Sequence, residues 1–205
     1  MKITAVVVTY NRIDKLRQCL QALLAQSVMP GEILVVDNAS TDGTGAWLSQ
    51  EADAHKGLIR VMTLPENLGG AGGFEYGICE AVESDADYVW IMDDDTVPSS
   101  TALAELLRAI EGEGKKVGFA ASRVNWTDGS LHEMNRPQFA SVGIDINILD
   151  TPTECTRATF VSLLIPSAVV RQVGLPIGEY FIWNDDIEYT GRIVRNGLQF
   201  EAELS

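Results

Sequence analysis

Short runs of almost wholly apolar, β-branched residues recur along this chain and alternate with stretches of helical periodicity. The first run, Ile3 to Thr9, is so apolar that it predicts a strand buried on both faces, as in a parallel sheet. Asp14 to Ala25 follows, with leucines at helical spacing. Strands alternating with helices predict an α/β fold with a right-handed, mostly parallel sheet flanked by helices.

The same alternation continues to the end of the chain. Further strands are predicted at Ile33 to Val36, Ile59 to Leu64, Tyr88 to Met92, Val117 to Ala121 and Thr159 to Ile165, and further helices at Thr44 to Glu51, Phe74 to Val82, Thr101 to Ile110, Ser167 to Val173 and Ile187 to Asn196. Residues 125–154 are irregular, and we expect an excursion, such as a hairpin that covers the site. Gln199 to Leu204 begins one more strand where the sequence stops. We therefore expect a C-terminal portion to be missing.

The net charge of the chain limits the classes of molecule that we expect it to bind. The chain of 205 residues carries 15 Lys and Arg against 29 Asp and Glu, a formal net charge of −14. Such a surface repels phosphate backbones, which makes nucleic acid an unfavourable partner. A free anionic nucleotide can still bind where a metal ion neutralises it.

Cys19, Cys79 and Cys155 show no paired metal-ligand spacing and indicate reduced thiols in the cytosol. No signal peptide and no run of about 20 apolar residues is present, so a cytoplasmic protein is predicted.

Three adjacent acids, Asp93, Asp94 and Asp95, follow the apolar strand Tyr88 to Met92. Adjacent carboxylates repel one another, and a fold tolerates them best around a cation. Oxygen-only ligands suit Mg²⁺ or Mn²⁺, which also bind diphosphate oxygens. The alternative is a solvated acidic turn. The triplet falls at the carboxyl end of a strand, where α/β sheets bind ligands.

Two other polar segments are ambiguous on sequence alone. Asp37 and Asn38 close the second strand, where a carboxylate could bind a base N–H or ribose hydroxyls. The alternative there is helix capping, with Ser40 or Thr41 as N-cap. Residues 67–73, Asn-Leu-Gly-Gly-Ala-Gly-Gly, form a glycine-rich strand-to-helix turn whose N–H groups could hold a phosphate or allow close approach. A flexible turn is equally compatible, and neither the Rossmann nor the P-loop pattern is matched.

The last acidic cluster opens a predicted helix. Asp185, Asp186 and Glu188 come directly after Phe181 and Trp183. Acids at a helix start are often simple caps, worth about 0.5–1 kcal/mol. Three acids in four positions exceed that need, and aromatic neighbours suit a sugar-binding face and can raise a carboxyl pKa towards that of a general base.

Taken together, the motifs resemble the family-2 glycosyltransferases, inverting enzymes of the GT-A fold, and are most similar to the galactofuranosyl- and rhamnosyltransferase branch. The segments that match, in the order of the family, are residues 6–12 (VVVTYNR), 35–43 (VVDNASTDG), 67–74 (NLGGAGGF), 93–95 (DDD) and 183–189 (WNDDIEY). Each is weak alone, and the ordered set spans nearly the whole chain. The resemblance implies one catalytic domain over 1–205, with a nucleotide-binding half at 1–123 and an acceptor and catalytic half at 124–205.

The resemblance also implies site roles and partners. The implied nucleotide site comprises Thr9, Arg12, Asp37, Asn67, Asp93 and Asp94. Asp93 and Asp95 would bind Mn²⁺ or Mg²⁺, Asp186 would be the general base, and Asp185 would hold the acceptor. The implied donor is a UDP- or dTDP-linked sugar, such as galactofuranose or rhamnose, and the acceptor is a glycan or a lipid-linked glycan. Peripheral contact with the inner face of the membrane would arise only through that acceptor or segments outside this chain. Family members often add a histidine ligand beyond the last motif, and no histidine follows His132 here.

Two other functions stay open at this point. A nucleotidyltransferase also uses an α/β sheet, acids and Mg²⁺, but usually has a basic, glycine-rich first loop, whereas residues 9–12 (TYNR) contain one Arg. A degenerate, non-catalytic sugar-binding domain is the other. Asp186 lying buried or paired away from the pocket would favour that one.

Overall fold

The computed structural model describes residues 1–112, 117–146, 151–197 and 199–203. In these residues six helices pack on a nine-stranded sheet. The elements in chain order are β1 Ile3–Thr9, α1 Ile13–Leu24, β2 Glu32–Asp37, α2 Thr44–Ala54, β3 Ile59–Thr63, α3 Gly69–Glu83, β4 Tyr88–Asp93, α4 Ala102–Glu111, β5 Val117–Ser122, β6 Gln138–Phe139, β7 Thr153–Arg157, β8 Leu163–Pro166, α5 Ser167–Val173, α6 Asp185–Arg195 and β9 Gln199–Glu203. None of these helices is both long and apolar enough to cross a membrane.

The sheet is mostly parallel, as the sequence predicts. Its strand order is β3-β2-β1-β4-β8-β5-β9-β7-β6. Strands β1 to β4 run parallel to one another, and β5 and β9 run parallel as a second pair. Strand β8 lies between β4 and β5 and is antiparallel to both. The chain therefore inserts a late strand into the centre of a sheet that its first half begins.

The two faces of the sheet carry separate cores. Along β1, Val6 and Val8 point into the core that contains α3, α5 and α6. Ala5 and Val7 point into the core that contains α1, α2 and α4. This alternation is the period of two expected of a strand buried on both faces. It places α3 and α6, which carry the glycine motif and the last acidic cluster, on the same face.

Several predicted boundaries were wrong, each for a reason outside the local pattern. Helix α3 begins at Gly69 rather than Phe74, and α6 begins at Asp185 rather than Ile187. The strand predicted from Thr159 begins only at Leu163, because Ser162 has a φ of 57°. The irregular segment 125–154 contains a β-bridge between Asn125 and Leu131 and most of the β6–β7 hairpin. Residues 147–150 and Leu204 lie outside the described residues.

The glycines belong to α3 because two of them let this helix pack closely against β1. A Cβ atom at Gly73 would lie 2.4 Å from Cγ1 of Val8, and one at Gly77 would lie 2.4 Å from Cγ1 of Val6. Contacts that short do not occur without displacement, so only glycine permits this helix–strand distance. The low helix propensity of glycine is outweighed here by packing.

We expect Gly73→Ala to destabilise the fold by about 1–3 kcal/mol, the usual cost of overpacking a core. Gly70→Ala, in the same helix, is the matched control, since nothing lies within 4 Å of its added Cβ. That change should raise the free energy of unfolding by up to about 1 kcal/mol through helix propensity. Urea unfolding measures both. Equal effects of the two substitutions would contradict the close-packing account.

Candidate active site

The polar ends of three adjacent parallel strands form one edge of the sheet. Thr9 lies beside Asp37 in the β1–β2 register, and Val8 lies beside Asp93 in the β1–β4 register. Because parallel strands end on the same side, two motifs distant in sequence are brought together there. This is the carboxyl edge at which α/β sheets bind ligands.

The acidic triplet is partly neutralised by Arg12. Its guanidinium lies 3.1 Å from Oδ1 of Asp94 and 2.5 Å from Oδ2 of Asp95. Asp94 is buried and also accepts a hydrogen bond of 2.7 Å from the Thr9 hydroxyl. Part of the negative charge of the triplet is therefore balanced by the protein itself. Thr9 and Arg12 are engaged with the triplet in this structure.

Asp93 differs from its two neighbours. Within the described residues its carboxylate accepts no hydrogen bond, and it lines a pocket. Burial, followed by the negative charges of nearby aspartates, raises the pKa of Asp93 to about 7. Burial also raises the pKa of Asp94, although Thr9 and Arg12 act in the opposite direction. Among the described residues the Asp93 carboxylate thus has no hydrogen bond or ion pair, although the charge of Arg12 acts to lower its pKa.

Asp37 and Asn67 hold the loops around this edge. Asp37 is 1% exposed, and its Oδ1 accepts a hydrogen bond of 3.0 Å from the backbone N–H of Ser40. Helix α2 begins at Thr44, and its N-cap is Gly43. The capping alternative, in which Ser40 or Thr41 is the N-cap, is therefore wrong. Asn67 accepts from the backbone N–H of Gly69 at 2.9 Å. Both side chains therefore have structural contacts in addition to any ligand role.

The start of α3 is not an open phosphate cradle. The N–H groups of Leu68, Gly69 and Ala71 donate to Oδ1 of Asn38, Oδ1 of Asn67 and the carbonyl of Phe181, respectively. A Cβ at Gly69 would overlap that same carbonyl, at 2.0 Å. The glycine-rich turn thus allows close approach of the loop before α6, while Gly70 and Ala71 also line a pocket.

A pocket of about 240 Å³ joins the two acidic clusters. Its acidic residues are Asp93 from the triplet and both Asp185 and Asp186 from α6. Asp185 is 8% exposed, and burial followed by the charge of Asp186 raises the pKa of Asp185 to about 6. Burial also raises the pKa of Asp186. Asp186 faces the pocket, so the observation that would favour a non-catalytic domain is not made.

The loop before α6 is held in an unusual backbone conformation. Phe181, Trp183 and Asn184 all have positive φ, at 61°, 77° and 69°. Such conformations cost energy in residues other than glycine and concentrate at functional sites. Here they place Trp183 and Asn184 in the pocket wall and aim the start of α6 at it.

Sequence reasoning missed five wall residues, which are Asn135, Thr159, Phe160, Val161 and Ile182. Gly70, Ala71, Phe74 and Asn184, which also line the pocket, belong to the two motifs at residues 67–74 and 183–189. Phe160 packs edge-on against Phe74, with ring centroids 5.0 Å apart, and against Tyr189 of α6. The apolar run that contained Phe160 predicted a buried strand, and no local signal distinguished it from a pocket wall. Asn135 comes from the segment that was expected to cover the site.

The donor set fits a hard divalent cation that a substrate helps to hold. Among the described residues no three His, Cys, Asp or Glu side chains converge as a metal site. Mg²⁺ in proteins is commonly held by one or two carboxylates plus substrate phosphates, so a complete protein cage is not required. In the part of the chain that the structure describes, the Asp93 carboxylate accepts no hydrogen bond, and the Asp95 side chain is 43% exposed. These two carboxylates could serve as protein ligands.

Comparison with known proteins agrees with this geometry. The family model for glycosyl transferase family 2 matches residues 4–164. The galactofuranosyltransferase GlfT1 of Mycobacterium tuberculosis strain H37Rv is 30% identical over 208 residues, which cover 96% of this chain and 66% of that relative. This chain thus spans slightly less than two thirds of the relative's length.

Solved structures give the same fold. The crystal structure of GalNAc-T7 with UDP, GalNAc and Mn²⁺ superposes with a TM-score of 0.80 at 13% identity, covering 99% of this chain and 42% of that one. The mannosyltransferase PcManGT from Pyrobaculum calidifontis, in complex with GDP-Man and Mn²⁺, gives 0.72 at 18%, covering 100% and 56%. The fold is that of the GT-A glycosyltransferases. With its family model matched over more than half its length and its motifs assembled at one edge of the sheet, this chain belongs to glycosyl transferase family 2.

Proposed function

We propose that this protein transfers a sugar from a nucleotide-diphosphate sugar to an acceptor hydroxyl with inversion at the anomeric carbon. The observation that carries the proposal is the single pocket shared by Asp93 and the Asp185–Asp186 pair. A donor bound along the strand ends and an acceptor bound at α6 would meet there. Family membership favours glycosyl over nucleotidyl transfer.

The chain's own residues would divide the work as follows. Thr9, Arg12, Asp37, Asn67, Asp93 and Asp94 would form the donor side of the site. Asp186 would take the proton from the acceptor hydroxyl, and Asp185 would hold that acceptor. The acceptor oxygen would then attack the anomeric carbon opposite the departing diphosphate. Two relatives solved with a nucleotide or nucleotide sugar, UDP in one and GDP-Man in the other, support a nucleotide-linked donor.

A divalent cation bound by Asp93 and Asp95 would neutralise charge on the departing diphosphate. We propose Mn²⁺ or Mg²⁺ because both structural relatives named above were solved with Mn²⁺. For the donor we propose a UDP- or dTDP-linked sugar such as galactofuranose or rhamnose, and for the acceptor a glycan or lipid-linked glycan. The similarity to a galactofuranosyltransferase supports the first of these donors.

A thermal-shift experiment tests the donor side. UDP or dTDP should raise the melting temperature more with Mn²⁺ than with EDTA, because a ligand that binds the folded state more tightly stabilises it more. Asp95→Ala should remove the metal-dependent part without unfolding the protein.

The matched control is Asp14→Ala, since the Asp14 side chain is 88% exposed on α1 and only loosely paired with Arg17 at 3.8 Å. That variant should keep the full metal effect. Equal stabilisation by the nucleotide in Mn²⁺ and in EDTA would argue against a metal-bridged diphosphate.

A further inference from the structure

A second pocket, of about 390 Å³, lies next to the candidate active site and has no role in the transfer described above. Two of its lining residues are arginines. The full lining is Gln138, Thr156, Arg157, Gly191, Val194 and Arg195. In a chain with a net charge of −14, a pocket lined by two cations and no acid stands out from the rest of the surface.

The two arginines approach each other across Gly191. A Cβ atom at Gly191 would lie 3.3 Å from Nη1 of Arg195 and 3.5 Å from Nε of Arg157. Gly191 is buried, so its missing side chain leaves the space that both guanidinium groups border. The two guanidinium groups carry like charges and repel each other, and an anion bound between them would relieve that repulsion.

Both guanidinium groups have donors to spare. Arg157 is exposed, and within the described part of the chain its side chain makes no hydrogen bond or ion pair. Arg195 lies 3.5 Å from Oε1 of Glu188, but Glu188 is already held by Arg192 at 2.7 Å. A guanidinium has five N–H donors, so one long ion pair leaves most of those on Arg195 available.

The pocket shares two elements with the candidate active site. Arg157 ends β7, and two residues later Thr159 lines the active-site pocket. Between them the backbone N–H of Ala158 donates to the Thr190 hydroxyl. The single proton of that hydroxyl points to the carbonyl of Asp186 at 2.7 Å or to that of Ala158 at 3.2 Å. Along α6, Gly191 follows Asp186 by five residues, or about 7.5 Å at 1.5 Å per residue. The two pockets thus lie on either side of the Ala158–Thr190 contact.

We propose that this second pocket binds a phosphate group that belongs to the acceptor. The assignment to the acceptor rests on the proposed transfer function, whereas phosphate binding itself does not. Paired guanidinium groups match phosphate oxygens in a bidentate manner, and the side-chain amide of Gln138 adds a neutral donor. The Thr156 hydroxyl donates to the Gln138 carbonyl and can only accept from a protonated phosphate. A phosphate held here would place its carrier beside Asp186, with the reacting hydroxyl on the order of 10 Å away along α6.

Titration of metal-free protein, in EDTA, with inorganic phosphate and with methyl phosphate tests the pocket directly. Isothermal calorimetry should show binding of both, since the ester stands for a phosphate carried by an acceptor. Arg157→Gln and Arg195→Gln should each weaken binding about ten-fold, and the double substitution should abolish it, because hydrogen bonds to charged groups dominate such a site. Arg136→Gln, at another exposed arginine, is the matched control and should leave both affinities unchanged.

The outcomes separate the two proposals. No phosphate binding by the unchanged protein, or equal binding by the double variant, would overturn the pocket. Binding of inorganic phosphate without methyl phosphate would overturn the acceptor assignment, since a free ion would then be the ligand. UDP binding in Mn²⁺ should be unaffected in the double variant. If the unchanged protein does not bind UDP, the proposed donor site is contradicted, and the result for phosphate binding is unaffected.

Discussion

Asp186→Asn should lower kcat by about 10²–10⁴-fold, the usual contribution of a general base, and leave nucleotide affinity within a few-fold of its original value. Asp186 lies in the wall of the active-site pocket, whereas Thr9 and Asp37 lie outside it at the ends of β1 and β2. Its Oδ1 accepts a hydrogen bond from the backbone N–H of Ile187, which an asparagine oxygen can also accept. The substitution therefore removes the proposed base and preserves the local geometry.

Steady-state kinetics beside a nucleotide titration measures both effects, in a longer form of the protein if these 205 residues turn over too slowly. Asp185→Asn should act mainly on the acceptor KM if Asp185 positions the acceptor. Glu188→Gln is the control in the same helix, because Glu188 pairs with Arg192 and is not part of the pocket wall. Turnover near the original value in Asp186→Asn would remove Asp186 from the role of base.

The pH profile should carry the same signature. A general base must be ionised, so kcat/KM should fall on the acidic side of its pKa. Burial raises the pKa of Asp186 above the ordinary aspartate range. We therefore expect the acidic limb at a higher pH than an ordinary aspartate would give, and Asp186→Asn should remove it.

Asp93→Asn should stabilise the metal-free and nucleotide-free protein at pH 8, by a few kcal/mol at most. Burial and neighbouring charges raise the pKa of Asp93 to about 7 in the folded protein, against about 3.9 in an unfolded chain. Between these values the folded state binds the extra proton, so this group's contribution to stability falls as pH rises and is level above pH 7. One pKa unit corresponds to about 1.4 kcal/mol, so the difference between about 3.9 and about 7 limits the stabilisation to a few kcal/mol.

Urea unfolding of both proteins in EDTA, from pH 5 to pH 8, checks the sign. The difference in unfolding free energy between the variant and the unchanged protein should grow with pH. A difference that stays constant, or that shrinks, would contradict a raised pKa at Asp93. Asp14→Asn, at an exposed carboxylate on α1, should give no such trend.

The sequence by itself determined the elements whose signal is local. Strands β1, β2 and β4 are each buried on both faces, so their interior residues are almost entirely apolar and their ends are easily located. Because parallel strands end at one edge, the polar residues after them could be placed together from the pattern alone. Asp37 and Asp93 follow from that reasoning.

The tertiary structure alone decided what depends on contacts between distant segments. The periodicity of the sequence indicates which face of an element is buried, but not which segment covers it. The contact of the 181–184 loop with the glycines of α3 could therefore not be predicted from the sequence. The insertion of β8 between β4 and β5 is equally non-local, and it is the pairing that brings the second half of the chain beside the first. The same holds for Arg12, whose partners Asp94 and Asp95 are more than 80 residues away. A single pocket for Asp93 and Asp186 exists because the sheet joins these segments, and no local pattern encodes that distance.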